Sequence, residues 1–275
     1  MDRGHIGCTN YMRPLSFGAL SLVAAVALSG AVAPNAVAGG GTAALKVCTT
    51  GDYPPLTYRE PETGEYTGVD IDMATDLAAH LGRAPVFVAT TWPTLMADLT
   101  SPGKCDIAMG GITDTPERRR VADVTGPYLS SGKVPLVAAG NADRLSSLDQ
   151  IDQPGVRVIE NSGGTNEQFA RKNLPDAQLA IWRDNTTIFD QLASGNADVM
   201  ITDAVEAIYQ SSLHPGLVAL HPEQPFTSEV KIYLLPKGSP IAAQSESWLT
   251  GALHDGTFAG FYQRWLHAPA PEAPQ

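Results

Sequence analysis

The sequence predicts an α/β protein of two lobes, in which mostly parallel sheets carry helices on both faces. Short apolar runs alternate with helical patterns from Ala44 onward, an order that is typical of parallel sheets. The alternation restarts after an extended run at residues 133–139, which indicates a second lobe. A last predicted strand, 230–235, is followed only by helical sequence, so we expect the chain to cross back to the first lobe.

Periodicity supports each element of the two units. In the first unit, apolar residues at every fourth position from Val69 to Leu81 mark a helix. The elements predicted for this unit are 45–49, 69–81, 86–89, 95–99 and 107–109. Those predicted afterwards are 156–159, 166–173, 179–182, 186–193, 199–202, 204–212, 241–253 and 258–266.

Residues 1–38 have the three parts of a secretory signal. Arg3 and Arg13 form the basic part, an uncharged apolar stretch follows, and residues 36–38 form an A-x-A cleavage site. The most apolar part, residues 20–28, is shorter than the roughly 20 residues that a membrane span needs. No cysteine comes directly after Leu28-Ser29-Gly30 to carry a lipid. We therefore expect a periplasmic or secreted protein without a stable membrane anchor.

The composition disfavours several kinds of partner. The formal net charge is −11, and removal of residues 1–38, which carry two arginines and one aspartate, makes it one unit more negative. Such acidity disfavours nucleic acid and anionic membranes. The histidines lack metal-ligand spacing and no cofactor motif is present, so we expect neither a metal nor a cofactor. The sequence allows either a disulfide between Cys48 and Cys105 or two free thiols, and it leaves open a homo-oligomer.

Four loops are expected to form the functional site. Ligands of open α/β sheets bind outside the carboxyl ends of the strands. The loops that follow predicted strands at such ends are 49–55, 110–118, 161–167 and 202–206. We expect them to line a cleft that holds a small anionic molecule.

Arg118 is the first candidate ligand in these loops. Thr115 is a suitable N-cap and Pro116 suits the first helical position, so Arg118 falls in the first turn of a helix. A guanidinium there can hold a carboxylate with two hydrogen bonds, and Thr113 can assist it. The alternative is a surface arginine in the run 118–120.

The loop at 161–167 contains two adjacent glycines. Gly163 and Gly164 allow the backbone to approach a ligand closely, and the next helix offers free N–H groups to an anion. The alternative is an ordinary turn in which Thr165 caps the helix.

Asp203 and Glu206 open a later helix. Their spacing is typical of a capping box, with Asp203 as N-cap and Glu206 three residues later. The alternative is that Glu206 turns into the cleft as a proton donor. Trp92, Tyr53 and Tyr128 are candidates for apolar walls around a ring-shaped ligand, or else for the core.

Five stretches carry a family resemblance: TTGDYPP (49–55), GVDIDM (68–73), IAMGGITDTPER (107–118), 155–167 and 197–204. They resemble the polar amino-acid family, family 3, of extracytoplasmic solute-binding proteins. The resemblance implies a two-lobed periplasmic-binding-protein-like fold with hinge strands. It places lobe 1 at residues 44–133 and 236–275 and lobe 2 at 134–235. It also implies that Arg118 holds the ligand carboxylate, with Thr113 and Thr165 assisting.

Further segments are similar to those of the periplasmic cyclohexadienyl dehydratases, which look like solute-binding proteins that became enzymes. Those segments are TTGDY (49–53), TTWPTLMADL (90–99), IDQPGV (151–156), GGTNEQFARKNL (163–174), DNTTIF (184–189), TDAVEA (202–207), HPEQPF (221–226) and KIYLLP (231–236).

Two positions favour an enzyme over a receptor. Transport members of the family usually have an apolar residue in place of Glu206 and often have Gln in place of Lys133. The resemblance therefore implies that Glu206 and Lys133 are catalytic. The other substrate-binding residues expected in the cleft are Asn161, Asn166, Trp92, Tyr53 and Asp203.

The resemblance also implies a reaction, the decarboxylating dehydration of prephenate to phenylpyruvate, of arogenate to phenylalanine, or of both. Glu206 would protonate the leaving hydroxyl, and burial and the neighbouring Asp203 would raise its pKa. Lys133 is expected near a carboxylate of the substrate. The alternative is an amino-acid-binding protein of an ABC importer, and a sensory module has no dedicated support in the sequence.

Overall fold

A computed structural model describes residues 43–274, which contain two large sheets and one small sheet. The predicted signal segment, 1–38, lies outside the described residues. No helix within residues 43–274 has the length and apolarity needed to cross a membrane. The strands are β1 (Ala44–Thr49), β2 (Asp52–Tyr53), β3 (Thr57–Arg59), β4 (Tyr66–Thr67), β5 (Ala84–Ala89), β6 (Ile107–Thr113), β7 (Ala122–Val124), β8 (Leu129–Ser131), β9 (Lys133–Ala138), β10 (Arg157–Asn161), β11 (Gln178–Trp182), β12 (Val199–Asp203), β13 (Leu217–Ala219) and β14 (Glu229–Pro236). The helices are α1 (Val69–His80), α2 (Leu95–Thr100), α3 (Pro116–Val121), α4 (Leu148–Ile151), α5 (Thr165–Asn173), α6 (Ile188–Ala193), α7 (Ala204–Leu213), α8 (Ala242–His254) and α9 (Thr257–Leu266).

The two large sheets repeat one arrangement, and this confirms the predicted two-lobed α/β fold. The first sheet has the order β5-β1-β6-β14-β7, with β8 also paired to β14, and the second has the order β11-β10-β12-β9-β13. In each, the first strand of a β-α-β-α-β unit lies between the other two, and all three are parallel. The carboxyl ends of β1, β6, β10 and β12 therefore lie where ligands bind in such folds.

The remaining strands make the sheets mixed rather than mostly parallel. β9 pairs antiparallel with β12 and β13, and β14 pairs antiparallel with β6, β7 and β8. A parallel neighbour requires a long crossover, usually a helix, before the next strand. β9 and β14 enter their sheets from extended segments and not through a crossover helix. They therefore pair antiparallel with their neighbours.

The position of β14 changes the expected point of return to the first lobe. The family resemblance placed residues 134–235 in lobe 2, but β14 pairs within the first sheet from Glu229 onward. That pairing sets Lys231 opposite Thr113, at the carboxyl end of β6. The other lobe boundaries stay predictions.

Apolar side chains pack on both faces of each large sheet. On β1, Leu45 and Val47 face one cluster, with α1, α8 and α9, whereas Cys48 faces the opposite cluster with α2. Cys48 and Cys105 form a disulfide with their Cα atoms 5.6 Å apart, so the alternative of two free thiols is wrong. This bond ties β1 to the segment just before β6 and so holds two strands that lead to the cleft.

Candidate active site

A cavity between the lobes brings all eight predicted substrate-binding residues together. Two glycines, at 111 and 164, complete its lining. The roles of these residues stay predictions. No group of three or more His, Cys, Asp or Glu side chains able to hold a metal occurs within residues 43–274. The lining consists of Tyr53, Trp92, Gly111, Thr113, Arg118, Asn161, Gly164, Thr165, Asn166 and Asp203.

Arg118 turns towards this cavity while its neighbours in the arginine run stay outside. The side chain of Thr115 accepts a hydrogen bond from the backbone N–H of Arg118 and caps α3, as predicted. The Arg118 guanidinium donates to the backbone oxygen of Thr113 at 2.5 Å. Arg119 and Arg120 are exposed and pair with surface carboxylates. Arg118 is therefore a cleft residue, and the surface interpretation is wrong.

The glycine loop of the second lobe contacts the first lobe directly. Gly163 has a φ of +80°, and a Cβ atom there would overlap Pro93, which is next to Trp92. Gly164 is the N-cap of α5, so the interpretation of Thr165 as the cap is wrong. Instead, the Thr165 hydroxyl accepts a hydrogen bond from the Lys133 ammonium at 2.9 Å.

Lys133 lies behind the lining rather than in it. The side chain is fully buried, and its Nζ donates to Thr165 Oγ1 at 2.9 Å, Asn166 Oδ1 at 2.6 Å and Asp203 Oδ1 at 2.9 Å. An ammonium has three N–H donors, so all of them are used on protein atoms. This arrangement disfavours the predicted contact between Lys133 and a carboxylate of the substrate. Lys133 instead positions three residues that line the cavity.

Lys231 is a site residue that the sequence analysis missed. Its buried Nζ donates to Thr113 Oγ1 at 2.8 Å and to Asp203 Oδ2 at 2.6 Å, and it lies 5.5 Å from the centre of the Tyr53 ring. The signal that was available is a lone lysine in an otherwise apolar run, KIYLLP. A lysine in a buried strand is rarely without a partner.

Asp203 is an ionised carboxylate held by three donors. Besides the two lysines, the Tyr53 hydroxyl donates to its Oδ2 at 2.5 Å. Burial opposes ionisation, but the charges of Lys133 and Lys231 outweigh it and hold the pKa of Asp203 below its usual value. Asp203 makes no side-chain hydrogen bond to the start of α7, so the capping-box interpretation is wrong.

Glu206 is fully buried three residues further along α7. Its Oε2 accepts from the Thr202 hydroxyl, and its Oε1 has no hydrogen-bond partner within residues 43–274. Burial, together with the charges of Asp203 and Asp52, raises the pKa of Glu206 to about 8. The direction agrees with the expectation from sequence. Glu206 is not itself in the lining, but Thr202 connects it to Asn166, whose Nδ2 lies 3.1 Å from Thr202 Oγ1.

A buried carboxylate supports the site from the first lobe. Asp70 accepts from the backbone N–H of Gly111 at 2.6 Å and from the hydroxyls of Tyr128 and Tyr233 at 2.6 and 2.8 Å. Tyr128 is therefore a core residue and not a wall of the cavity. Gly111 has a φ of +68°, and a Cβ atom there would overlap the ring of Tyr53.

A bilobed α/β fold with a polar cavity between its lobes defines an extracytoplasmic solute-binding protein. The family model of bacterial extracellular solute-binding proteins, family 3, matches residues 45–268. The chain belongs to this family.

Relatives within the family include both enzymes and binding proteins. The chain is 47% identical over 229 residues to the cyclohexadienyl dehydratase of Pseudomonas aeruginosa, covering 83% of this chain and 85% of that one. It is 26% identical to the L-cystine-binding protein TcyJ of Escherichia coli K12, covering 82% and 83%.

Solved structures give the same two groups. An ancestral amino acid-binding protein, a precursor of cyclohexadienyl dehydratase, matches at 37% identity with a TM-score of 0.75, over 81% of this chain and 95% of that one. A variant of an ancestral cyclohexadienyl dehydratase matches at 50% identity with a TM-score of 0.50, over 82% and 93%.

Proposed function

We propose that this protein is a cyclohexadienyl dehydratase, a carbon–oxygen lyase that converts prephenate to phenylpyruvate, arogenate to phenylalanine, or both. The observation that carries the proposal is Glu206, a buried carboxyl with a pKa of about 8 beside a cavity that contains Arg118. The similarity to the Pseudomonas aeruginosa dehydratase over most of both chains supports it. We further propose that residues 1–38 export the protein.

Arg118 is proposed to hold the side-chain carboxylate of the substrate. It lines the cavity, and within the described residues its guanidinium donates only to the Thr113 backbone oxygen, so other guanidinium N–H groups stay available for a ligand. Asn161 and Thr165 lie in the same lining and add hydrogen-bonding groups from the second lobe. Orientation of the ring relative to Glu206 lowers the entropic part of the barrier.

Glu206 is proposed to deliver the proton that the reaction needs. Hydroxide is a poor leaving group, so the ring hydroxyl takes the Glu206 proton and leaves as water when its C–O bond breaks. The ring carboxylate leaves as CO2, and the electron pair of that C–C bond completes the aromatic ring. Glu206 is left as a carboxylate, which solvent reprotonates. A positioned general acid typically contributes about 10²–10⁴-fold in rate.

The free oxygen of Glu206 suits this role. Oε2 is engaged with Thr202, whereas Oε1 has no partner within the described part of the chain. Because Glu206 lies outside the cavity lining, Oε1 is the atom that we assign to proton transfer through one water molecule. Lys133 contributes by positioning Thr165, Asn166 and Asp203 around the substrate.

The test is a turnover assay on the purified mature protein. We expect phenylpyruvate to form from prephenate, phenylalanine to form from arogenate, or both, at rates above a protein-free control. Tight binding of an ordinary amino acid, with neither diene consumed, would instead support the second candidate. That candidate is a binding protein of an ABC importer, as the similarity to the L-cystine-binding protein suggests.

A further inference from the structure

We propose that Asp52, together with a water molecule bound between its carboxyl group and Glu206, carries a proton from solvent to Glu206 in every turnover. This inference rests on the proposed function and adds to it a second carboxyl group and a water site. Asp52 belongs to β2 of the first lobe, whereas Glu206 belongs to α7 of the second. The route therefore crosses from one lobe to the other.

The chemistry of the reaction requires a supply of protons. Prephenate and arogenate each lose a carboxylate as CO2 and a hydroxyl as water. The products together carry one negative charge fewer than the substrate, so each turnover consumes one proton. Glu206 gives up that proton and is fully buried, so its carboxylate has no direct contact with solvent.

Five buried polar atoms that lack a hydrogen-bond partner within residues 43–274 lie on or around Asp52. Asn185 Nδ2 donates to the backbone oxygen of Asp52 at 2.8 Å. The side chains of Thr50 and Trp92 are close enough to lower the pKa of Asp52, and the charge of Asp52 acts in turn on Glu206. The five atoms are Thr50 Oγ1, Asp52 Oδ1, Trp92 Nε1, Asn185 Oδ1 and Glu206 Oε1.

The packing of the second lobe explains why Asn185 and Glu206 face the same region. Thr202, which donates to Glu206, lies two residues after Met200 on β12, so both side chains are on one face of the sheet. Met200 packs in one cluster with Ile188, the first residue of α6. Asn185 lies in the loop just before α6, and this loop therefore covers the side of the sheet on which Glu206 lies.

A water molecule suits this region. Burial of a polar atom without a partner is unfavourable, and a buried water molecule typically makes about three hydrogen bonds to such atoms. The indole N–H of Trp92 is a donor, and the carboxyl oxygens of Asp52 and Glu206 accept or donate according to their protonation. Trp92 also lines the cavity, so the same water lies where it can pass the Glu206 proton to the substrate.

Asp52 is the acid beside Glu206 that solvent can reach. Three carboxyl groups interact electrostatically with Glu206 within the described residues, namely Asp52, Asp203 and Glu160. Asp203 is 3% exposed and Glu160 is 0% exposed, so neither exchanges protons with solvent directly. Asp52 is half-buried, and it keeps contact with solvent although its Oδ1 is buried. Asp52 therefore reaches from the surface to the buried region.

The surroundings of Asp52 help it to hold a proton. Burial raises its pKa, and the charge of Asp184, on the exposed loop before α6, acts in the same direction. The side chains of Thr50 and Trp92 act against this increase. A carboxyl group whose pKa is raised takes up a proton nearer to neutral pH than an ordinary surface aspartate does.

The transfer is a relay of one proton. Solvent protonates Asp52, the Asp52 O–H gives its proton to the water, and the water releases one of its own protons to Glu206 Oε1. One O–H bond breaks and one forms in each transfer, and Asp52 returns to the carboxylate. Lys133 and Tyr53 also face Glu206, but both donate to Asp203 and stay outside the relay.

The first experiment compares a single turnover with the steady state in wild type and Asp52→Asn at about pH 6. This pH is well below the pKa of Glu206, about 8, so both proteins start with the acid form. With enzyme in excess, one turnover uses the proton already on Glu206, and its rate constant should change by less than about twofold. In the steady state Glu206 must take up a new proton each time, so kcat should fall by at least about tenfold.

Two further variants and a chemical rescue separate a proton route from a structural role. Asp52→Glu keeps the carboxyl group and should restore most of the lost kcat. A small acid such as imidazolium should raise kcat of Asp52→Asn in proportion to its concentration and leave wild type unchanged. Asp184→Asn removes the exposed charge beside Asp52 but not the route, so this matched control should leave kcat unchanged.

A crystal structure of wild type that resolves water tests the site without turnover and without a variant. A water within about 3.2 Å of both Asp52 Oδ1 and Glu206 Oε1 supports the proposal, and a well-resolved region without it overturns the proposal. An unchanged kcat in Asp52→Asn, or an equal loss in the single turnover, would overturn the route while the dehydratase stands. The bridging water in a protein that consumes neither diene would keep the water site and reject the dehydratase.

Discussion

Each lobe buries a carboxyl group beside the cleft, and the two groups differ in their hydrogen-bond partners. Asp70 in the first lobe accepts from two tyrosine hydroxyls and one backbone N–H, at 2.6–2.8 Å. Glu206 in the second lobe accepts only from Thr202, and its Oε1 has no partner within residues 43–274. Both are fully buried.

The difference explains why burial has different consequences at the two positions. Burial raises the pKa of Asp70 to about 6, and its three donors limit the increase. Burial and the charges of neighbouring aspartates together raise the pKa of Glu206 to about 8, against the Thr202 hydrogen bond and the charge of Lys133. A carboxyl group with a full set of donors suits a structural role, and one that lies beside other acids suits proton donation.

The largest expected effect is on catalysis in the second lobe. Glu206→Gln keeps the shape of the side chain but removes the acidic proton, so kcat for the preferred diene should fall about 10²–10⁴-fold. The same substitution should have little effect on the free energy of unfolding, because the neutral amide that replaces the carboxyl does not ionise. Steady-state kinetics and urea unfolding of the same preparation check both statements. A kcat within a few-fold of wild type would remove Glu206 from the mechanism.

The next effect is on the stability of the protein and concerns Asp203, whose charge raises the pKa of Glu206. Asp203→Asn leaves the buried ammonium groups of Lys133 and Lys231 without their counterion, which typically costs about 3–5 kcal/mol. Urea unfolding measures this loss. Asp176→Asn, at an exposed position of the same lobe, is the control and should change stability by less than about 0.5 kcal/mol. Equal effects of the two substitutions would contradict the buried ion-pair arrangement.

The smallest effect is expected in the first lobe. Tyr128→Phe removes one of the donors to Asp70, so we expect a loss of about 1.5 kcal/mol and a kcat within twofold of wild type. The loss should be larger at pH 8 than at pH 4, because Asp70 ionises near pH 6 in the folded state and the hydroxyl mainly stabilises the ionised form. Thermal unfolding at both pH values checks the prediction. A loss that does not depend on pH would mean that Asp70 keeps one protonation state throughout.

The ionisation of Asp70 should also be visible in the pH dependence of the wild-type free energy of unfolding. The folded-state pKa of Asp70, about 6, is above its unfolded value of 3.8. Between these values the folded protein binds a proton that the unfolded chain has released. The contribution of Asp70 to the free energy of unfolding should therefore fall as the pH rises from about 4 to 6 and stay constant above that range.

Local patterns were sufficient to predict the two α/β units and the loops of the cleft. Strand ends and helix starts carry signals in neighbouring residues, such as Thr115 and Pro116 before Arg118. The small sheet of β2, β3 and β4 was not predicted, because strands of two or three residues have no measurable periodicity.

The contacts behind the lining could not be predicted from neighbouring residues. Lys231 joins the site because β14 returns to the first sheet and pairs with β6, more than 100 positions earlier in the chain. Lys133 points at protein acceptors contributed by α5 and β12, which come together only in the folded lobe. Sequence spacing therefore predicted which loops meet, and sheet register decided which charges pair.

The pH dependence of kcat/KM tests the central claim, that Glu206 acts as a buried general acid, most directly. The acid form must be present, so the rate should be constant at lower pH and fall as the pH rises through about 8. The residual activity of Glu206→Gln should lack that decline. A wild-type rate that increases with pH between 6 and 9, or a decline that persists in Glu206→Gln, would contradict the assignment.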